Sequence, residues 1–198
     1  HTPFGHAGQD ALNQCMKPYG GFEHNLQSLR VVDELEERYA GFPGLNLTYE
    51  SREGILKHCS ATVARQLGDV GQRFVDRGQP GLEAQLANLA DAVAYNNHDV
   101  DDGIRAGIVT VSSLCEVELF RRHHDGVRSA HSDLRGRRLV HEIVRRMINE
   151  VVTDLIETTA TQLSSGKPAS IAEVRSQQRP LVGFAERVAT EHQELKAF

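Results

Sequence analysis

The segment Leu134–Leu163, LRGRRLVHEIVRRMINEVVTDLIETTATQL, decides the fold of this chain. Its apolar residues recur every three to four positions, which is the spacing of one face of an α-helix. The stripe consists of Leu139, Ile143, Met147, Val151, Leu155 and Ile156. The segment is followed by Ser164-Ser165-Gly166-Lys167-Pro168, and Gly and Pro interrupt helices. We therefore predict a long amphipathic helix here and a core that buries its stripe.

The same periodicity extends over most of the chain. It predicts helices at 7–17, 22–39, 48–59, 82–98 with a continuation at 100–109 after a bend, 112–123, 171–176 and 181–198. Thr48 is a suitable cap for the third of these. The glycine-rich stretch 68–81 is predicted to be a loop. Since no segment alternates apolar and polar residues as a strand does, we expect an all-α fold, arranged as one domain over residues 1–198.

Composition excludes several classes of protein. The chain has 198 residues, of which 39% are hydrophobic and 25% charged, as in soluble globular domains. A net charge of -5 gives no basic footprint for nucleic acid. No apolar run approaches the ~18–20 residues that span a bilayer, so we expect no membrane partner. Three cysteines without a C-x-x-C pair indicate reduced thiols and a cytoplasmic protein.

The first six residues, HTPFGH, place two histidines around a Pro and a Gly in a chain with ten histidines. His1 and His6 would stand in a loop that enters a helix. The amino end of a helix carries partial positive charge, and together with imidazoles it suits a phosphate. The alternative is a chance pair in a histidine-rich chain.

Asp91, Tyr95 and Asp99 form a second constellation. They are four residues apart, so on a helix each is rotated about 40° from the one before and all three share a face. Asp91 has apolar neighbours in sequence and therefore needs a cation, a metal or several hydrogen-bond donors. The alternative is that Asp91 caps a helix or forms a salt bridge, and that Asp99-Asp101-Asp102 begins another helix. A Ca²⁺ loop is excluded because the later bidentate glutamate is missing.

His24 lies on the predicted helix 22–39. It shares a face with Ser28, Val31 and Leu35, and this predicts that it points inward. A single inward histidine is usually a hydrogen-bonded core residue. A functional role for His24 depends on which other side chains it meets.

Four motifs then occur in order: H-T-P-F-G-H-A-G-x-D-A-L-N from His1, G-G-F-E-H-N-x-Q-S-L-R from Gly20, R-E-G-I-L-K-H from Arg52, and L-A-D-x-x-A-Y-N-N-H-D-x-D-D-G from Leu89. Together they resemble the HD-domain deoxynucleoside triphosphate triphosphohydrolases, in particular the bacterial dGTPase-like branch. The resemblance is close over roughly the first 110 residues and looser beyond. It implies an HD-domain helical bundle, a homo-oligomer, and hydrolysis of a dNTP to deoxynucleoside and triphosphate by water attack on the α-phosphorus.

The resemblance also implies roles for the residues singled out above. His1, His6 and His24 match active-site histidines that contact the phosphates and assist the attack. Tyr95 and Asp99 match positions that hold the deoxyribose: the tyrosine ring crowds the 2′ carbon and the aspartate accepts from the 3′-OH.

Asp91 matches one ligand of a divalent metal ion, which could be Mn, Mg, Fe or Co. The other protein ligands of the family are an upstream histidine and a His-Asp pair, and the motif places that pair just before His1. We therefore expect the chain to be cut at both ends and to bind the metal poorly by itself.

Gln9 departs from the family pattern, because many members carry a carboxylate three residues after the second histidine. A carboxylate partners the histidine in proton transfer, whereas an amide can only orient it by hydrogen bonding. This substitution predicts reduced activity. Two alternatives stay open: another HD-domain phosphohydrolase, such as a nucleotidase or phosphodiesterase, and a catalytically impaired nucleotide-binding regulatory protein, which Gln9 favours.

Overall fold

The computed structural model describes residues 5–56 and 59–198. Over these residues the chain is helical, and an isolated bridge between Glu37 and Gly44 is the β contact found there. The all-α prediction is confirmed. The chain divides into two compact units, His1–Ala84 with Ile171–Gln178, and Gln85–Ser170 with Arg179–Phe198. This division does not test the prediction of one domain over 1–198, which stays a prediction.

The first unit is built from short helices. They are α1 (Gly5–Met16), a 3₁₀ turn (Lys17–Tyr19), α2 (His24–Arg30), a π-helical turn (Val31–Leu35), α3 (Tyr49–Ile55), α4 (Ala61–Ala64), a second 3₁₀ turn (Gly68–Gly71), α5 (Gln72–Asp76) and α10 (Ile171–Ser176). Its core is a cluster of Leu29, Leu56, Leu67 and Val70. Partly buried residues such as Leu26 and Phe74 pack around that cluster.

The predicted helix 22–39 is too long, because helical structure ends at Leu35. The chain returns at Gly44 and Leu45, whose N–H groups donate to the carbonyls of Glu36 (2.9 Å) and Val32 (2.7 Å). Gly44 has φ +68°, and a Cβ there would lie 2.3 Å from the Asp33 carbonyl oxygen. Only glycine allows the backbone to approach this closely. The two hydrogen bonds occupy the Val32 and Glu36 carbonyls, which would otherwise accept hydrogen bonds within a longer helix.

Thr48 caps α3 as predicted, its hydroxyl accepting the Ser51 N–H at 3.3 Å. The helix ends at Ile55, however, four residues before the predicted end. Leu56 has extended backbone (ψ 106°), and its carbonyl accepts from Arg73 Nη2 at 2.7 Å. A tertiary hydrogen bond therefore replaces the next helical one.

Glu53 lies on the buried side of α3 and is fully buried at 0% exposure. Its carboxylate lies 3.2 Å from Arg73 Nε and 3.3 Å from Arg175 Nη2, and it accepts the Gly81 N–H at 3.0 Å. One buried carboxylate thus joins α3, α5, α10 and the residue before α6. Burying charge requires such partners.

The predicted loop at 68–81 is partly wrong, because a 3₁₀ turn and α5 occupy Gly68–Asp76. Val70 is fully buried in the core cluster. Gly71 approaches the backbone so closely that a Cβ would lie 1.9 Å from the Ala64 carbonyl oxygen. This glycine permits close packing rather than loop formation.

The second unit contains the long helices. They are α6 (Leu82–Ala106, from Gln85 onward), α7 (Val111–Leu114), α8 (Glu118–Ala130), α9 (Gly136–Gly166) and α11 (Glu186–Ala197). The core includes Val100, Leu114, Phe120, Val127 and Val188 together with the stripe of α9. The stripe prediction is confirmed from Leu139 to Leu155, but Ile156 is 64% exposed.

Three predicted boundaries in this unit are wrong. Helix α6 is uninterrupted through Val100 and ends at Ala106 rather than at 109. The predicted helix 112–123 is divided at Cys115–Val117: a capping box of Thr110 and Ser113 starts the one-turn α7, and α8 starts after its N-cap Val117. The last helix begins at Glu186 rather than Leu181.

Residues 181–185 are not helical, and amides of this stretch bond to side chains of other helices. Gln85 Oε1 accepts from the Leu181 and Val182 N–H groups at 2.8 and 3.0 Å. Asp154 Oδ2 accepts from the N–H of Ala185, which is the N-cap of α11, at 2.9 Å. These bonds fix the approach to α11.

A network of charged side chains joins α8, α9 and α11. Arg122 contacts Glu150 (3.0 Å) and Glu191 (2.7 Å), and Arg187 contacts the same two glutamates at 2.9 and 3.0 Å. Hydrogen bonding to Glu191 raises the pKa of Arg122, and against the opposing effect of burial the two arginines hold the pKa of each glutamate below its ordinary value. All four groups therefore stay charged near neutral pH.

Candidate functional site

The predicted site residues fall in both units. His1 lies outside the described residues. In the first unit, His6 and Gln9 are on α1 and His24 is the first residue of α2. In the second unit, Asp91, Tyr95 and Asp99 are on α6. Each group is therefore described within its own unit.

Gln9 is partly buried on α1, and its Oε1 is buried without a hydrogen-bond donor among the described residues. Buried amide oxygens nearly always accept a hydrogen bond. This oxygen therefore calls for a donor from a residue outside the described ones or from a bound molecule. As an amide, Gln9 can orient such a donor but cannot take up its proton.

His24 meets a carboxylate that the motif contains and that sequence reasoning did not assign. Its Nδ1 lies 3.1 Å from Glu23 Oε1, a close electrostatic contact without the alignment of a hydrogen bond. Glu23 is the N-cap of α2: its Oε2 accepts the Leu26 N–H at 2.9 Å, and its Oε1 accepts from Asn25 Nδ2 at 3.0 Å. Because Glu23 is fixed by these bonds, it places a negative charge beside the His24 ring.

His24 is only partly inward, with 30% of its side chain exposed. The prediction that it shares an inward face with Leu35 is wrong for Leu35, which is 47% exposed. The π-helical turn at Val31–Leu35 changes the angle per residue and so shifts the face that this segment buries. His24 thus combines a carboxylate neighbour with access from outside.

Asp91, Tyr95 and Asp99 share one face of α6, as their spacing predicts, because the helix is continuous from Leu82 to Ala106. Asp91 is partly buried, Tyr95 is 61% exposed and Asp99 is exposed. Asp91 lies well inside the helix, so the alternative that it caps a helix is wrong. The alternative that Asp99-Asp101-Asp102 begins another helix is also wrong.

The inner face of the same helix is held by two buried asparagines that sequence reasoning missed. Asn96 is 6% exposed, and its Nδ2 lies 3.1 Å from His192 Nε2 and 3.1 Å from the His192 carbonyl oxygen. Asn97 Nδ2 donates to the Val93 carbonyl at 2.7 Å. Their signal was the pair of amides between Tyr95 and Asp99, since buried amides require partners. The contacts of Asn96 with His192 tie α6 to α11 and so fix the direction of its exposed face, whereas the Asn97 bond lies within α6.

His192 on α11 is the partner of Asn96 and is 7% exposed. Burial lowers the pKa of His192, and the nearby Lys196 lowers it further. The neutral imidazole therefore prevails near pH 7, with a ring nitrogen free to accept from the Asn96 amide. The Phe184 ring lies against it, with centroids 5.3 Å apart.

A metal site on Asp91 needs ligands from elsewhere. Among residues 5–56 and 59–198, no group of three or more His, Cys, Asp or Glu side chains converges. A divalent transition metal in a protein site takes several imidazole and carboxylate ligands together. The described residues therefore do not fit a complete metal site, and Asp91 supplies at most one carboxylate.

In the described part of the chain, none of the helices combines the length and apolar character that crossing a membrane requires. The three cysteines, Cys15, Cys59 and Cys115, are free thiols. For Cys59, burial and then the charge of Glu23 raise the thiol pKa, and burial also raises the pKa of the Cys115 thiol. These two thiols are therefore not activated as nucleophiles.

Comparison with known proteins places the chain among named relatives. No protein-family model matches it. A protein of Thiobacillus denitrificans is 59% identical over 198 residues, covering all of this chain and 52% of the relative. Relatives from Ralstonia nicotianae (59% identical, 51% of the relative covered) and Bordetella pertussis (61% over 202 positions, 52% covered) match the whole chain as well. Each is named deoxyguanosinetriphosphate triphosphohydrolase-like protein.

The chain spans about half the length of the curated relatives it matches. Identity above one half over all 198 residues excludes a local or motif-only resemblance. Over its whole length the chain is therefore similar to deoxyguanosinetriphosphate triphosphohydrolase-like proteins.

Proposed function

We propose that the longer protein to which this chain corresponds hydrolyses deoxynucleoside triphosphates, with dGTP as the leading candidate, to deoxynucleoside and inorganic triphosphate. The observation that carries the proposal is the 59% identity, over the whole chain, to a protein named for this activity. The structure supports it with one exposed face of α6 that presents Asp91, Tyr95 and Asp99 together.

In this proposal the residues of α6 hold the sugar end of the substrate. Asp99 accepts a hydrogen bond from the 3′-OH of the deoxyribose. The Tyr95 ring lies against the 2′ carbon, where a ribose hydroxyl would clash. The contacts of Asn96 with His192 hold α6, and with it Tyr95 and Asp99, at a fixed angle, and such positioning is a large part of enzymatic rate enhancement.

His1, His6 and His24 are proposed to act at the triphosphate. Water attacks the α-phosphorus, the bond from that phosphorus to the 5′ oxygen breaks, and the 5′ oxygen takes a proton. Imidazoles that contact the phosphates can donate hydrogen bonds and transfer that proton. Glu23 places a negative charge beside the ring of His24.

We also propose that Asp91 contributes a carboxylate to a divalent metal ion, either Mn, Mg, Fe or Co, in the longer protein. When bound, such an ion neutralises charge on the phosphates. Its other ligands lie outside the described residues. We further propose a homo-oligomer in the cytoplasm, and the free thiols support the reducing compartment.

The second candidate is a nucleotide-binding protein with impaired catalysis. Gln9 favours it, because an amide stands where many relatives carry a carboxylate that partners a histidine. A related possibility is an HD-domain phosphohydrolase that breaks another phosphate bond.

One product analysis separates these functions. The longer protein is incubated with dGTP and a divalent metal, and the phosphorus products are resolved by ion chromatography. Tripolyphosphate with deoxyguanosine is the expected result. Pyrophosphate or phosphate release would identify another phosphohydrolase, whereas saturable dGTP binding without any product would establish the regulatory protein. GTP serves as the matched substrate, since contact of Tyr95 with the 2′ carbon predicts slower turnover.

A further inference from the structure

The second unit carries a long apolar groove between α6 and α9. Its volume is about 840 Å³. Leu86 and Ala94 of α6 line one wall, and Ile148, Val152 and Ile156 of α9 line the other. Four of these five side chains belong to the large exposed hydrophobic residues of the described chain: Leu86 48%, Ile148 38%, Val152 38% and Ile156 64%.

Exposed apolar surface that is contiguous in this way marks a binding surface, whereas single exposed apolar residues do not. On α9 the residues Ile148, Val152 and Ile156 are four apart and form one ridge. The ridge continues the buried stripe that ends at Leu155, so the core of this unit opens into the groove. The predicted apolar stripe included Ile156. Because that prediction had the stripe buried, we expect a partner to pack against Ile156.

One end of the groove is polar. His141 on α9 lies 3.6 Å from Asp101 on α6, which bridges the two walls at that end. His98 and Arg145 stand beside this pair. The groove is therefore apolar along its length and polar at one end, and it fits an amphipathic helix with apolar residues every three to four positions.

The groove lies beside the proposed catalytic face. At about 100° per residue, Ala90, Ala94 and Asn97 are rotated roughly 60–160° around α6 from Asp91 and Tyr95. A helix bound in the groove would thus support α6 along the side next to its exposed face.

The length of the relatives indicates where such a helix comes from. The chain covers 52% of a relative to which it is 59% identical, so that protein has nearly as many residues again outside the matched part. We propose that the groove binds an amphipathic helix from the part of the longer protein that lies outside these 198 residues.

Photo-crosslinking in the longer protein tests this assignment. A photo-reactive residue replaces Ile156, and the matched control carries it at Asn149, an exposed position of α9 beside the groove wall. Equal amounts of unlabelled and ¹⁵N-labelled protein are mixed under conditions that allow any subunits to exchange, irradiated, and mapped by mass spectrometry. We expect crosslinks from position 156 to one segment outside the 198 residues, at least tenfold above position 149. Both crosslinked peptides should carry the same isotope.

Three outcomes would overturn the proposal. Mixed-isotope crosslinks would show that a second copy fills the groove. Capture of a segment within the 198 residues would make the occupant part of this chain. A yield at position 156 no higher than at 149 would show an open groove. A second photo-reactive residue at Val152 must capture the same segment, which guards against a local disturbance at Ile156.

Discussion

At the scale of single residues, buried charge is concentrated on Glu53 in the first unit. Its carboxylate faces two guanidinium groups, and burial lowers the pKa of Arg73 while the charge of Glu53 raises it. Side-chain exposures of 10% for Arg73 and 29% for Arg175 mean that neither cation can rely on water alone. The motif R-E-G-I-L-K-H identified this stretch as important, but the sequence could not show that its glutamate is structural.

Glu53→Gln is expected to destabilise the chain by about 3–5 kcal/mol, because it leaves two partly buried arginines without their counter-charge. Urea unfolding measured by circular dichroism gives this value. Glu34→Gln is the matched control. Glu34 lies in the same unit, is 68% exposed and is 3.7 Å from Arg30, so its loss should cost no more than about 0.5 kcal/mol. Equal effects of both variants would contradict the structural role of Glu53.

Gln9 gives a prediction about catalysis. In the longer protein, Gln9→Glu should raise kcat at least tenfold, since positioned acid–base groups contribute about 10²–10⁴. Steady-state rates of deoxyguanosine release measure the change. Gln14→Glu, at an exposed position of the same helix, should leave kcat unchanged. An unchanged kcat in Gln9→Glu would show that the amide does not limit proton transfer.

At the scale of elements, periodicity located the helices and tertiary bonds fixed their ends. The helix 134–163 was predicted nearly to its bounds, since its stripe and its Gly-Pro stop are both local signals. The ends at Leu35 and Ile55 could not be predicted, because they depend on Leu45 and Arg73, which are distant in sequence. At helix α11 the start, rather than the end, was predicted wrongly. The helix begins later than predicted because the N–H groups of the residues before it donate hydrogen bonds to Asp154 and Gln85.

Helix α11 should loosen as pH falls, because the folded-state pKa of His192 is lowered by burial. When the folded-state pKa of a histidine lies below its ordinary value of 6.5, the contribution of that histidine to the stability of the fold is fully present above pH 6.5. That stability decreases as the pH falls through the window below 6.5, where the unfolded chain binds the extra proton. His123, whose pKa burial also lowers, contributes with the same sign.

We therefore expect a lower Tm at pH 5.5 than at pH 7.5, and a smaller decrease in His192→Gln. Differential scanning calorimetry measures both. His131→Gln removes an exposed histidine and should keep the full decrease of the parent chain. A His192→Gln variant with the same decrease as the parent would mean that the contact between Asn96 and His192 does not govern this pH dependence.

At the scale of the whole molecule, the sequence predicted the family resemblance better than it predicted the residues around the candidate site. The motifs carried the resemblance to the family, and 59% identity over all 198 residues to a relative named deoxyguanosinetriphosphate triphosphohydrolase-like protein confirmed that resemblance. The spacing of Asp91, Tyr95 and Asp99 predicted their shared face because a continuous helix fixes such angles. The neighbours Glu23 and Asn96 were missed, since a cap and a buried amide are recognised by their partners rather than by their own identity.

The division of the site between this chain and the rest of the longer protein gives the last prediction. With one carboxylate from Asp91 and no converging donor group among the described residues, the 198-residue chain should bind Mn²⁺ weakly. If the proposed metal site is completed by ligands of the longer protein, that protein should bind Mn²⁺ more than about tenfold more tightly, because a complete ligand set would be held in place there. Electron paramagnetic resonance titration of free Mn²⁺ measures both without requiring turnover. In the longer protein Asp91→Asn should lose this advantage, whereas Asp102→Asn, with 71% of the side chain exposed on the same helix, should keep it. Tight binding by the 198-residue chain, or unchanged binding in Asp91→Asn, would remove Asp91 from the metal site and leave α6 with a role in holding the sugar alone.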